Sequence, residues 1–109
     1  MSKTWILESP LEQGENAEIP WTIVWPSAAA VGASSIAVAV YKLGTTTDVA
    51  GTVMSTGTHT ASGNSITMKP LTSLTGGEKY IISITTDIDG VTDETFGEVW
   101  ALKSETGKL

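Results

Sequence analysis

Alternation of apolar and polar positions is the dominant signal along the chain. Ala17, Ile19, Trp21, Ile23 and Trp25 alternate with Glu18, Pro20, Thr22 and Val24. That period of two, with one strongly apolar face, predicts a strand. Pro20 removes a backbone donor, so the strand is expected to start at an edge or carry a bulge near that point. Ser34 to Leu43 sets Ile36, Val38 and Val40 on one face and Ala37, Ala39 and Tyr41 on the other, and reads as a strand apolar on both faces. Ser65 to Leu71 alternates again, with Ile66 and Met68 on one side and Pro70 closing the run. Tyr80, Ile82 and Ile84 are then spaced to point inward, with Ile81, Ser83 and Thr85 opposite. Asp89-Gly90 is a hairpin-turn dipeptide, because glycine accepts the positive φ that such turns require. The last strand, about Thr92 to Leu102, therefore returns antiparallel beside its predecessor.

Between these runs the pattern weakens. Trp5 flanks Ile6 and Leu7 in a first strand broken at Pro10, expected to cover one end of the fold. The three alanines after Ser27 are able to wind one helical turn, capped by Ser27 and stopped by Gly32. From Gly44 to Gly63 the chain is rich in Thr, Ser and Gly, with only Val49, Val53 and Met54 to bury, which predicts one or two short edge strands among turns. Six or seven short strands without substantial helix amount to an all-β, two-sheet antiparallel sandwich of immunoglobulin or fibronectin type III-like form. About seven strands are expected in a single domain over residues 1–109.

The register of the last strand is ambiguous. Thr95, Gly97, Val99 and Ala101 alternate with Glu94, Phe96, Glu98, Trp100 and Leu102, and neither set is uniformly apolar. If Phe96, Trp100 and Leu102 point inward, Glu98 needs a bulge or a rim position, because an ionised carboxylate in a core is very costly. If Val99 and Ala101 point inward, Phe96 and Trp100 lie outside beside Ile81, Ala37, Ala39 and Tyr41. A contiguous apolar patch of that kind marks a protein contact. Burying two large aromatics outweighs burying several small residues on area, which favours the first register. Even then Ala37, Ala39 and Ile81 stay outside, a small-residue face that a partner sheet can approach closely.

Composition and charge narrow the function classes. Seventeen threonines agree with strands over helices. With 40% hydrophobic and 17% charged residues, the 109-residue chain is composed to fold rather than to remain disordered. The absence of cysteine excludes a disulfide scaffold, a thiol nucleophile and a thiolate zinc site. The formal charge is −6 and there is no arginine, so the basic surface and the bidentate guanidinium that nucleic acids favour are both missing. Neither a signal-peptide core nor an apolar run long enough for membrane insertion is present, and the expected location is cytoplasmic.

Two stretches carry a family resemblance. Leu71-Thr72-Ser73-Leu74-Thr75-Gly76-Gly77-Glu78-Lys79-Tyr80-Ile81-Ile82-Ser83-Ile84 resembles the corner between the fifth and sixth strands of fibronectin type III modules, where a Leu, a turn Gly and a Tyr recur. Ile23-Val24-Trp25-Pro26 is similar to the second strand of that fold, whose Trp fills the middle of the core. Together they cover about a fifth of the chain. Gly76-Gly77, Tyr80, Thr85-Thr86 and Gly90 further resemble small immunoglobulin-like proteins of phage and prophage tails, of the fibre-tail adaptor type. Val91-Thr92-Asp93-Glu94 departs from that pattern by lacking an arginine in the final hairpin. The resemblance implies a structural protein of the virion or the host bacterial cytoplasm. Its partners would be other protein subunits of a larger assembly, or itself.

Candidate chemistry is sparse. His59, the one histidine, sits in a Thr/Ser/Gly run and reads as a solvated loop residue. No Gly-x-Ser-x-Gly elbow accompanies it, so no catalytic residue, no enzyme activity and no cofactor are expected. Asp87, Asp89 and Asp93, with Glu94, crowd one hairpin. Oxygen ligands at that density suit Ca²⁺, while turn chemistry alone explains the same residues. Exposed tryptophans would suit a carbohydrate platform, with Trp100 and Tyr41 as the candidates once Trp21 and Trp25 are assigned to the core. The favoured reading is a non-enzymatic structural or interaction module with Ala37, Ala39, Tyr41, Ile81 and Trp100 as contact candidates. The alternative is an adhesion or carbohydrate-binding fibronectin-like module.

Overall fold

A computed structural model describes residues 4–5 and 10–109. In chain order the elements are β1 (Thr4–Trp5), β2 (Leu11–Gly14), β3 (Thr22–Val24), β4 (Val31–Lys42), α1 (Ala50–Val53), β5 (Thr60–Ser62), β6 (Ser65–Thr67), β7 (Lys79–Ile88) and β8 (Val91–Leu102). One sheet runs β3-β6-β5 and the other β4-β7-β8, with β1 and β2 both set against the free edge of β8. The chain is thus an all-β sandwich of two sheets. One detail departs from the all-antiparallel expectation: β1 and β2 run parallel to β8. The expectation for Ile6 and Leu7 lies outside the described residues. Among the described residues no helix is long and apolar enough to cross a membrane.

The alternating patterns set the core. Ile23 and Trp25 from one sheet meet Val40, Tyr80, Ile82, Ile84 and Val99 from the other, all buried. Pro20 lies two residues before β3 and outside its ladder, and β3 forms an edge of its sheet. Tyr80 closes the corner before β7: its hydroxyl accepts the Thr75 N–H at 2.9 Å, a tyrosine-corner bond. At the same corner the Gly76 N–H donates to Glu15 Oε2 at 3.1 Å, and a Cβ on Gly76 would collide with that carboxylate. Backbone N–H donors from Ser104 and Gly76, with the nearby Lys103 charge, hold the Glu15 carboxyl below its ordinary pKa against a smaller desolvation effect.

The loops correct one expectation and meet another: β5 is the short edge strand expected between Gly44 and Gly63. The Ser27 to Gly32 segment does not wind a helical turn, because the Ala29 and Ala30 N–H groups donate to the Asp89 carboxylate instead. Among the described residues the single helical turn is α1, inside the Gly44 to Gly63 stretch, and it buries Val53 followed by Met54. Asp48 Oδ1 holds it in place by accepting both the Val40 and the Ala50 N–H at 2.9 Å.

The last strand takes the register opposite to the one its aromatics favour on area. Val99 and Ala101 are fully buried, while Phe96, Trp100 and Leu102 are half-buried on the outer face. The hairpin decides this. Asp89 and Gly90 both have positive φ, as a two-residue type I′ turn needs, so Ile88 pairs with Val91 and the ladder continues unbroken to Lys79 and Trp100. Residues directly opposite share a face, so the inward Tyr80, Ile82 and Ile84 bring Val99, Gly97 and Thr95 inward with them. Glu98 is thereby outside, and no bulge is required. Thr95 and Gly97 leave room for the Trp25 indole, whose Nε1–H donates to Thr95 Oγ1 at 3.1 Å.

Candidate interaction face

The outer surface of the four-strand-wide sheet gathers the residues of interest. Tyr41 on β4 lies beside Ile81 on β7, which lies beside Glu98 on β8; the next row is Ala39, Ser83 and Phe96, and then Ala37, Thr85 and Glu94. Lys79, Trp100 and Glu12 complete the surface toward β2. All five contact candidates, Ala37, Ala39, Tyr41, Ile81 and Trp100, therefore share one face, and Phe96 and Leu102 join them. Ala37 is exposed and the other four are half-buried. Phe96 was assignable from the sequence: with a two-residue turn at Asp89-Gly90, counting back along both strands places it opposite Ser83, hence outside.

Polar groups on this face hold one another. The Trp100 Nε1–H donates to Glu98 Oε1, and the Lys79 ammonium stands 4.8 Å from the centre of the Trp100 ring. A cation over an indole is worth about 0.5–1 kcal/mol at a surface site, and here it also fixes the ring. The ammonium thus covers one face of the ring. Ser83 Oγ–H donates to Glu94 Oε2, so Glu94 too is tied to the sheet.

The acidic hairpin is a clasp. Asp87 accepts the N–H groups of Ala33 (3.1 Å), Ser34 (2.9 Å) and Ser35 (3.4 Å), and Asp89 accepts those of Ala29 and Ala30 at 2.9 and 2.8 Å. Asp93 Oδ1 accepts the Glu94 N–H at 2.8 Å. The oxygens proposed as calcium ligands are turned to backbone donors, and no group of three or more His, Asp or Glu converges as a metal site among the described residues. The Ser34 N–H, aided by those of Asp87, Ser35 and Ala33, outweighs desolvation and holds the Asp87 carboxyl below its ordinary value. A lowered folded pKa stabilises the fold above the unfolded value, near 3.8, and the contribution disappears as pH falls through the folded value. Asp87→Asn is accordingly expected to lower the urea midpoint at pH 7 and to flatten the loss of stability below about pH 4. Midpoints measured from pH 2.5 to 7 check this; parallel acid limbs in the two proteins would exclude it.

His59 is not a solvated loop residue. It is half-buried, and its Nδ1 accepts the Lys69 N–H at 3.0 Å, which leaves the ring proton on Nε2. Burial first, and the Lys69 charge second, press its pKa below the ordinary value. It lines an open groove of about 370 Å³ between β4 and the segment that enters β5. Among the described residues neither a nucleophile nor a carboxylate is hydrogen-bonded to it.

Gln13 is a buried polar side chain that residue patterns do not reveal. It is almost wholly buried at 1% exposure. Its Oε1 accepts the Trp21 Nε1–H at 2.8 Å, and its Nε2 donates to the Leu71 and Ala17 carbonyls. No family model matches the chain, and no curated protein or solved structure matches it significantly.

Proposed function

We propose that this chain is a non-enzymatic interaction module that docks through the outer face of its larger sheet, as a phage or prophage tail-associated protein contributing to virion assembly. The observation that carries the docking part is the register of β8, which sets Phe96 and Trp100 outside beside Ile81, Ala39 and Tyr41. The assembly part rests on the resemblance of the corner and hairpin residues to small tail proteins. The face supports reversible contact rather than permanent pairing. Four strands about 4.8 Å apart and seven residues at about 3.4 Å span roughly 19 by 24 Å, or roughly 450 Å² per copy. Two such faces bury on the order of 900 Å², at the low end for a specific contact, which suits a weak interaction repeated across many subunits.

Ala39→Glu places a charge in the middle of this face without touching the core. Self-association of the parent chain is expected at about 0.1–1 mM, as fits so small an interface, and the variant is expected to stay monomeric with an unchanged melting temperature. Sedimentation equilibrium of both proteins over that range measures it. A parent chain monomeric throughout would count against self-docking through this face.

A further inference from the structure

A second surface, independent of the outer face, lies along the other margin of the same sheet. We propose that the open edge of β4 takes a short, extended, acidic segment of another protein as an added strand, paired to the backbone of Ile36 and Val38, with a carboxylate directed at Lys69 and His59.

Hydrogen-bond parity along β4 defines the opening. The Leu43 N–H donates to the Lys79 carbonyl at 2.9 Å, so alternate residues of β4 bond to β7 and the ones between, Ile36, Val38, Val40 and Lys42, point their N–H and C=O groups away from it. Val40 is already engaged: its N–H donates to Asp48, and its carbonyl accepts the Val49 N–H at 2.7 Å. The Lys42 carbonyl accepts the Thr45 N–H. At the other end the Val31 N–H donates to the Gly63 carbonyl, which ties the two sheets together, and the Ser34 and Ser35 N–H groups are turned back to Asp87. Ile36 and Val38 remain, and the same parity turns their N–H and C=O groups away from β7 toward the edge of the sheet. The window is about 10 Å long, three residues of strand.

Side chains and charge say what fits there. Ile36 and Val38 are only half-buried although they pack against the core, so the sandwich is unfinished along this margin and an added strand would complete their burial. The groove of about 370 Å³ opens beside Ile36, and its opposite wall carries His59 and Lys69. In a chain of net charge −6, this spot brings a lysine close enough to act on a histidine. Among the described residues Lys69 forms no ion pair, and no carboxylate offsets its effect on His59. A carboxylate entering the groove meets an uncompensated cation, whereas a basic segment meets repulsion. Main-chain pairing to an edge supplies affinity in such complexes, and the neighbouring pocket supplies selectivity.

The probes are two blocked pentapeptides, Thr-Val-Glu-Val-Thr and its lysine counterpart, added at millimolar concentration to the full chain. Amide hydrogen exchange read by NMR is expected to slow about tenfold at Ile36 and Val38 with the glutamate peptide and to stay unchanged with the lysine peptide. Lys69→Glu is expected to reverse that preference. Val38→Pro removes one edge donor at a position where an edge strand tolerates proline, and is expected to abolish protection at Ile36 while the circular dichroism spectrum stays that of the parent. Unchanged exchange with the glutamate peptide, or equal protection by both peptides, overturns the proposal. Protection that appears without peptide and grows with protein concentration assigns the edge to a second copy and overturns it as well.

Discussion

Trp25→Ala is expected to destabilise the domain by about 3–5 kcal/mol, the range for removing a large aromatic from a packed core. Trp25 is 7% exposed and bridges the sheets in two ways. Its ring fills the space above the small residues of β8, and its Nε1–H donates to Thr95 Oγ1 at 3.1 Å across the sandwich. Truncation leaves a cavity and removes a partner from a threonine that is 1% exposed. Set against a typical domain stability of about 5–15 kcal/mol, the loss leaves little margin. Thermal unfolding is expected to fall on the order of 20 °C. Trp25→Phe keeps part of the volume and forfeits the hydrogen bond, so its loss is expected to be smaller, about 1–3 kcal/mol. A Trp25→Ala midpoint within a few degrees of the parent would place the weight of the core elsewhere.

Gln13→Leu is expected to cost about 2–4 kcal/mol, because the substitution preserves bulk while stranding buried polar groups. The Trp21 indole N–H loses its acceptor, and the Leu71 and Ala17 carbonyls lose a shared donor. Gln13→Glu separates hydrogen bonding from packing. At neutral pH its carboxylate still accepts from Trp21 but faces two carbonyl oxygens, so it is expected to be less stable than the parent and to regain stability on acidification as the protonated acid donates to one of them. Urea unfolding of the three proteins at pH 4 and pH 7 distinguishes the cases. Gln13→Leu matching the parent would show that water replaces the amide without cost.

Much of the architecture was legible because burial here follows the period of two. Ile23 and Trp25, Ile66 and Met68, and Tyr80, Ile82 and Ile84 are the inward residues that alternation predicts, and the turn dipeptide Asp89-Gly90 is where the chain reverses. Side-chain area misled in β8. It weighs residues one at a time, whereas register is shared along a whole hairpin, and the turn had already set it. Long-range polar partners were beyond reach for a different reason. Nothing local marks Gln13 as the residue that meets Trp21 and Leu71, or Asp87 as the acceptor for Ala33 to Ser35; those partners meet only after both sheets form. The contact candidates Ala37, Ala39, Tyr41, Ile81 and Trp100 fall on one face because strand pairing preserves the side of each residue.

The parallel pairing of Leu11–Gly14 with Val99–Leu102 has a mechanical consequence. These two segments lie near opposite ends of the chain yet run side by side in the same direction. Tension applied to the flanking polypeptide drags them past each other along their length, so their backbone bonds carry the load together instead of parting one after another. A joint loaded in this way is sheared, and several backbone bonds must break at once, whereas a hairpin pulled open from its mouth loses them singly.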